Sequence, residues 1–265
     1  MFFPSLPQSI LWQIESLWKR YFEESKPWRS GYISASTEFI TKNYDKNGFS
    51  KYFKETDSHG PLRFSKKFEP QLSERIVFSD PSVGECTGLH EELLWISPDG
   101  KPVYLVDNHH FALFPFAEIG LEMGKTMPIV HIDAHRDDAV FQNPVATGRD
   151  LSLQDTIHLM EQCKVSNFLD AGKKFGLIAE IISITQTVEF ETFSVPKTPF
   201  ILSLDLDIFG EEGSAVPLAL KVKTIAKAWN NATAIVMATS PGFMNQESAL
   251  SIAKILISEK NFTFS

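Results

Sequence analysis

The sequence predicts an α/β fold, with a mainly parallel central sheet covered by helices on both faces. Three observations predict it. From about residue 93 onward, short apolar runs alternate with segments of helical spacing. The runs are apolar throughout, as in strands buried on both faces of a parallel sheet. The chain has 265 residues, 43% hydrophobic and 22% charged, which is enough for one α/β core and too apolar for a disordered chain.

The elements follow in order. Residues 10–22 (ILWQIESLWKRYF) place apolar side chains at 10, 11, 14, 17, 18, 21 and 22, a helical spacing. Residues 42–70 are polar with Gly and Pro punctuation, and read as loop with short elements. Residues 93–96 and 102–106 read as a hairpin about Pro98, Asp99 and Gly100. Candidate strands are 103–106, 129–132, 200–204 and 234–238, and candidate helices are 111–123, 151–163, 216–229 and 245–258. The helix near 216 has Pro217 in its first turn and apolar residues at 218, 222, 225, 226 and 229. Residues 176–185 (GLIAEIISIT) fit a strand or a helix. The chain reads as one domain, with an aromatic and charged segment, residues 1–90, packed on a core of residues 91–265.

Lys and Arg number 25 against 33 Asp and Glu, a formal charge of −8. So acidic a balance does not suit a nucleic-acid or anionic-membrane surface, and does suit divalent cations or a cationic substrate. No apolar run reaches the roughly 18 residues of a membrane-spanning helix. Two cysteines, Cys86 and Cys163, are too few for a disulfide framework or a cysteine-rich zinc module. The opening residues carry two prolines and no basic n-region, a poor secretory signal, so the expected address is the cytoplasm.

The chemistry gathers after three of the four candidate strands. The first runs into Asp107-Asn108-His109-His110, the second into Asp133-Ala134-His135-Arg136-Asp137, the third into Asp205-Leu206-Asp207. In open parallel sheets, ligands bind beyond such carboxyl ends. Alternate residues point the same way along a strand, so Asp133, His135 and Asp137 face one site, as do Asp205 and Asp207. With one histidine from the first strand end, this gives two imidazoles, four carboxylates and no thiolate. That set favours manganese or another borderline divalent ion, as a pair. Converging buried carboxylates repel one another unless cations compensate, and Arg136 alone cannot. A lone Asp-x-Asp or His-His pair is ordinary surface; three such groups on successive strand ends are not. His131 reads as a satisfied core histidine, His59 and His90 as ordinary, and His158 as a weak candidate for proton transfer.

These residues resemble the metal motifs of the ureohydrolases, the arginase and agmatinase superfamily. Asp133-Ala134-His135-Arg136-Asp137 is similar to their D-A-H-x-D segment, and Ser203-Leu204-Asp205-Leu206-Asp207 to their S-F-D-x-D. Their Gly-Asp-His segment is altered here to Asp107-Asn108-His109-His110. Together with ATSPGF at 238–243, the wording resembles a divergent branch that includes the peptide arginases, which convert arginine side chains of ribosomally made precursor peptides into ornithine. The resemblance spans residues 103–257 and implies a three-layer arginase/deacetylase-like fold. It implies two Mn²⁺ per chain held by His109, Asp133, His135, Asp137, Asp205 and Asp207. Asp133 and Asp205 would bridge; His109 and Asp137 would complete one ion, His135 and Asp207 the other. His109 is preferred over His110 because the alignment that uses it also aligns Ala112. Asp137 would pass a proton to the leaving amine, and the partner would be an arginine-containing precursor peptide, with a homo-oligomer left open.

The sequence departs from the family in two places. Small-substrate members grip the guanidinium with a glutamate near the last core strand. Residues 236–242 (VMATSPG) contain no acid, and Asp150 and Glu247, ahead of Glu118 and Glu122, are the substitutes. The family's shuttle histidine is also missing; Asp150 lies roughly at its place and His158 further on. A changed grip fits a peptide substrate, with residues 1–90 beside the pocket mouth, or else over a sheet edge or an oligomer interface. The rival readings are an agmatinase-like or other amidine or amide hydrolase, and a metal-binding interaction protein without catalysis.

Overall fold

A computed structural model describes residues 3–25, 62–65, 67–97, 100–143 and 153–258. The helical spacing near the N-terminus forms α1 (Gln8–Ser25), with Leu11, Ile14 and Trp18 on its buried stripe. Strands β1 (Leu62–Ser65), β2 (Leu72–Asp80), β3 (Gly84–Leu89), β4 (Glu92–Ile96) and β5 (Pro102–Val106) follow. A 3₁₀ turn, His109–Ala112, leads into α2 (Leu113–Met123) and β6 (Met127–Ile132). Then come α3 (Leu153–Gln162), α4 (Phe168–Lys174), β7 (Ile178–Ile184), α5 (Thr187–Thr192) and β8 (Ile201–Asp205). Two further 3₁₀ turns, Leu206–Phe209 and Glu212–Ala215, precede α6 (Leu218–Asn231), β9 (Ala234–Ala238) and α7 (Gln246–Ile257).

Among the described residues, seven strands form one sheet in the order β1-β4-β5-β9-β8-β6-β7, and β2 pairs with β3 apart from it. Strands β5, β9, β8, β6 and β7 run parallel. β4 folds back antiparallel on β5, with Leu94 opposite Tyr104. This is the expected hairpin, although Pro98 and Asp99 lie outside the described residues. Every residue of β5, β8 and β9 is buried, which explains why their sequences are so largely apolar. Strand alternation divides them between two layers. Val103 and Leu105 pack with α1, α6 and α7, while Tyr104 and Val106 pack with α2, α3 and α4. The architecture is mixed α/β, a mostly parallel sheet flanked by helices.

Residues 176–185 resolve to β7, paired with β6 along the sheet's end. Ala179 and Glu180 of that strand are exposed. An end strand half in solvent carries neither clean alternation nor a clean helical stripe, which is why its sequence was ambiguous.

The β2–β3 hairpin was not expected within residues 1–90. Asp107, just past β5, fastens it to the core: it accepts from the Leu89 amide at 2.7 Å and from Arg75 Nη2 at 3.1 Å. Gly88 makes room for this carboxylate, since a Cβ there would lie 2.3 Å from Asp107 Oδ1. On the other side Trp18 of α1 meets Trp229 of α6 edge-on, ring centroids 5.3 Å apart. Cys86 and Cys163 are free thiols, and no helix among the described residues is long and apolar enough to cross a membrane.

Candidate metal centre

The chemistry lies where the parallel strands end. Leu204 of β8 pairs with Ile132 of β6, so the next residues, Asp205 and Asp133, emerge side by side. On the far side of β8, Asp205 itself pairs with Ala238 of β9, and Ala238 with Val106 of β5. Residues just beyond Val106, Ile132, Asp205 and Ala238 therefore meet at one edge of the sheet.

His109 places Nδ1 2.9 Å from Asp133 Oδ2, 3.2 Å from Asp205 Oδ2 and 3.6 Å from Asp137 Oδ2. His135 places Nδ1 2.9 Å from Asp207 Oδ2 and 3.4 Å from Asp133 Oδ1. Both imidazoles anchor the other nitrogen: His109 Nε2 lies 2.7 Å from Ser203 Oγ, and His135 Nε2 is bonded to Glu212. With Nε2 held outward, each Nδ1 faces the carboxylates, the nitrogen that would bind a cation once its proton is displaced. Backbone amides brace the acids, from His135 to Asp133 Oδ1 at 2.6 Å and from Asp207 to Asp205 Oδ1 at 3.0 Å. Ser240 Oγ donates to Asp205 Oδ2. Among the described residues, two non-glycine residues adopt the left-handed backbone region, Asp137 (φ 51) and Ser240 (φ 46), and both belong to this cluster. Strain at such positions is commonly kept for function.

The residues present fit divalent cations. Two ligand groups are brought together, His109, His131, Asp133 and Asp137 in one and Asp133, His135 and Asp207 in the other, with Asp133 in both. Asp207 is wholly buried, and its Oδ2 faces His135 Nδ1 at 2.9 Å. Burial, then Asp133 and Asp205, pushes Asp137 up to about 8. Burial, then Asp205 and Asp133, raises Asp207 well above the carboxylate range. Burial alone would lower His109, but Asp133 and Asp205 hold it well above its ordinary value. Hydrogen bonds to Asp133 and Asp207 push His135 up to about 12. Burial would raise Asp133, but His109 and His135 keep it below the usual range. Without cations, protons hold these repelling acids together. Metal uptake must expel them, so affinity should rise as pH rises towards 8 and fall below it. Calorimetry in buffers of different ionisation enthalpy should show proton release; heats independent of buffer would contradict this.

All six proposed ligands are in the cluster, and His109 rather than His110 faces it. Arg136 does not compensate them: it is about half exposed and turned to Glu189 at 3.3 Å and Asp138 at 3.6 Å. Lys221 on α6 interacts with Asp207, and burial lowers its ammonium to about 8. His158 lies on the exposed face of α3 beside Glu161, and Glu247 is exposed in the first turn of α7. Glu118 accepts from the Tyr104 hydroxyl at 2.6 Å within the α2 layer, and burial raises Glu122 there to about 7. Asp150 lies outside the described residues.

The sequence reading missed Ser203, Glu212 and Ser240, and misread His131. His131 is wholly buried with Nε2 turned to Asp133 Oδ2 at 3.4 Å and not hydrogen-bonded to it, so it belongs with the acid cluster rather than with the plain core. The signal was the same period of two that selected Asp133, His135 and Asp137. A cleft of about 710 Å³ opens beside the centre, lined in part by Phe78, Asn108, His110, Met160, Ser166 and Phe243. The Phe243 ring also packs on His135, centroids 4.8 Å apart. No family model, no curated protein and no solved structure matches the chain.

Proposed function

We propose that this protein is a metal-dependent hydrolase that cleaves the guanidinium of arginine side chains in a peptide, giving ornithine and urea. The observation that carries this is Asp133, shared between two groups of buried imidazoles and carboxylates at neighbouring strand ends. The centre takes two divalent cations, manganese by the resemblance of its motifs, held by His109, Asp133, His135, Asp137, Asp205 and Asp207. Such ions supply Lewis acidity and make water nucleophilic near neutral pH.

The chain's own groups do the rest. Asp137 takes the proton of the attacking water and hands it to the departing ornithine amine. Ser240 and the Asp207 amide hold the Asp205 carboxylate in place. Glu212 binds His135 Nε2 and so holds the ring's orientation. The cleft of about 710 Å³ that reaches His110 and Phe243 supports a substrate larger than free arginine.

The test is mass spectrometry of arginine peptides incubated with the Mn²⁺-loaded protein. Each converted arginine should lose about 42 Da, the covalent difference between arginine and ornithine, with urea released in equal amount. The peptide should have a higher kcat/KM than free arginine or agmatine. Equal or faster turnover of free arginine or agmatine would point to a small-substrate amidine hydrolase. Loss of neither urea nor mass from any of them would leave a non-catalytic metal-binding protein.

A further inference from the structure

We propose that His131 is itself a ligand, so that the buried half of the centre grips its cation with two imidazoles, His109 and His131, rather than one. This rests on the reading that the cluster holds divalent cations, and goes beyond the six ligands that the motifs imply. His131 lies on β6 two residues before Asp133, and a strand's period of two points both side chains the same way. Its ring is fully buried and stacked on His109, centroids 4.9 Å apart and planes 29° apart. Phe168 packs against both rings, at 5.0 Å from His109 and 6.1 Å from His131. His131 Nε2 sits 3.4 Å from Asp133 Oδ2 without a hydrogen bond between them. One ligand atom from each of His109, His131, Asp133 and Asp137 lies within 4.8 Å of every other, the spread of a single coordination sphere.

A histidine buried only for packing finds hydrogen bonds for its nitrogens, because leaving them dry costs stability. His131 Nε2 has none, and it faces an acid already shared with a second site. A cation among these four atoms gives that nitrogen its missing partner. The two halves then differ in chemistry. The buried half has two nitrogens beside its carboxylates. The other, with Asp133, Asp207 and the one-third exposed His135, has a single nitrogen. Imidazole-rich sites favour zinc and cobalt over manganese more strongly than carboxylate-rich ones. The buried half therefore discriminates more strongly for such ions than its neighbour does.

The experiment titrates Zn²⁺ and Mn²⁺ into the metal-free full chain against a chromophoric chelator, for wild type and His131→Phe, with zinc-edge X-ray absorption at one equivalent. Two imidazoles per zinc are expected in wild type and one in the variant. Zinc affinity should fall at least about tenfold in the variant, the lower end of the loss seen even for groups that merely support a ligand, and manganese affinity by less. Metal-free His131→Phe should melt about as high as wild type, because it keeps a buried ring and deletes the unpaired Nε2. An unchanged imidazole count with unchanged zinc affinity overturns the role of His131 and leaves the metal centre standing. A wild type that takes up neither ion overturns both. Should the variant fail to fold, the wild-type count decides alone: two supports the assignment, one rejects it.

Discussion

Replacing Asp133 by alanine should strip divalent metal from the whole centre, whereas His135→Ala should deplete one half of it. Asp133 stands in both ligand groups, 2.9 Å from His109 and 3.4 Å from His135, while His135 belongs to one. Removing a shared carboxylate leaves each cation short of a charged ligand and leaves two imidazoles without the acid they face. Metal analysis after dialysis should find close to no bound ion in Asp133→Ala and about half the wild-type content in His135→Ala, as expected for a two-ion site. Asp205→Ala should also abolish turnover, since Asp205 lies 3.2 Å from His109 Nδ1 and is held by Ser240. Equal, small losses from Asp133→Ala and His135→Ala would remove the basis for a shared ligand.

The second large effect concerns stability. Trp18→Ala should destabilise the protein by about 3–5 kcal/mol, the usual cost of deleting a buried tryptophan. Trp18 is wholly buried on α1, and its edge-on contact with Trp229 joins α1 to α6. In a chain of this size that loss lowers Tm by roughly 10 °C. Thermal denaturation of the metal-free protein checks it, because metal binding would otherwise add its own stabilisation. A shift of only a degree or two would mean that α1 contributes little to the core.

The parts of this fold that were legible in the sequence were those buried on both faces. Strands β5, β8 and β9 lie inside the sheet, so their residues are nearly all apolar until the strand ends at the site, and their boundaries were read to within a residue or two. The end strand β7, with Ala179 and Glu180 in solvent, carried no such constraint and stayed ambiguous. The β2–β3 hairpin was invisible for a different reason. Its attachment runs through Arg75, Asp107 and the small size of Gly88, contacts that join distant parts of the chain and leave no local pattern.

The site divides the same way. Asp133, His135, Asp137, Asp205 and Asp207 are packed into two short segments, so spacing exposed them. Ser240 acts only because β9 lies beside β8, with Ala238 opposite Asp205. Glu212 reaches His135 only because the chain turns back through a 3₁₀ turn after β8. Both depend on tertiary geometry. His131 was within reach of the spacing argument, but a single histidine inside an apolar strand looks like core until its unpaired Nε2 is seen turned to Asp133.

The most direct measurement is anomalous diffraction from Mn²⁺-loaded crystals of the full chain. Two peaks about 3.5 Å apart are expected, one beside His109 and Asp137, the other beside His135 and Asp207, with Asp133 between them. A single peak, no peak, or two peaks that do not share Asp133 would contradict a binuclear centre.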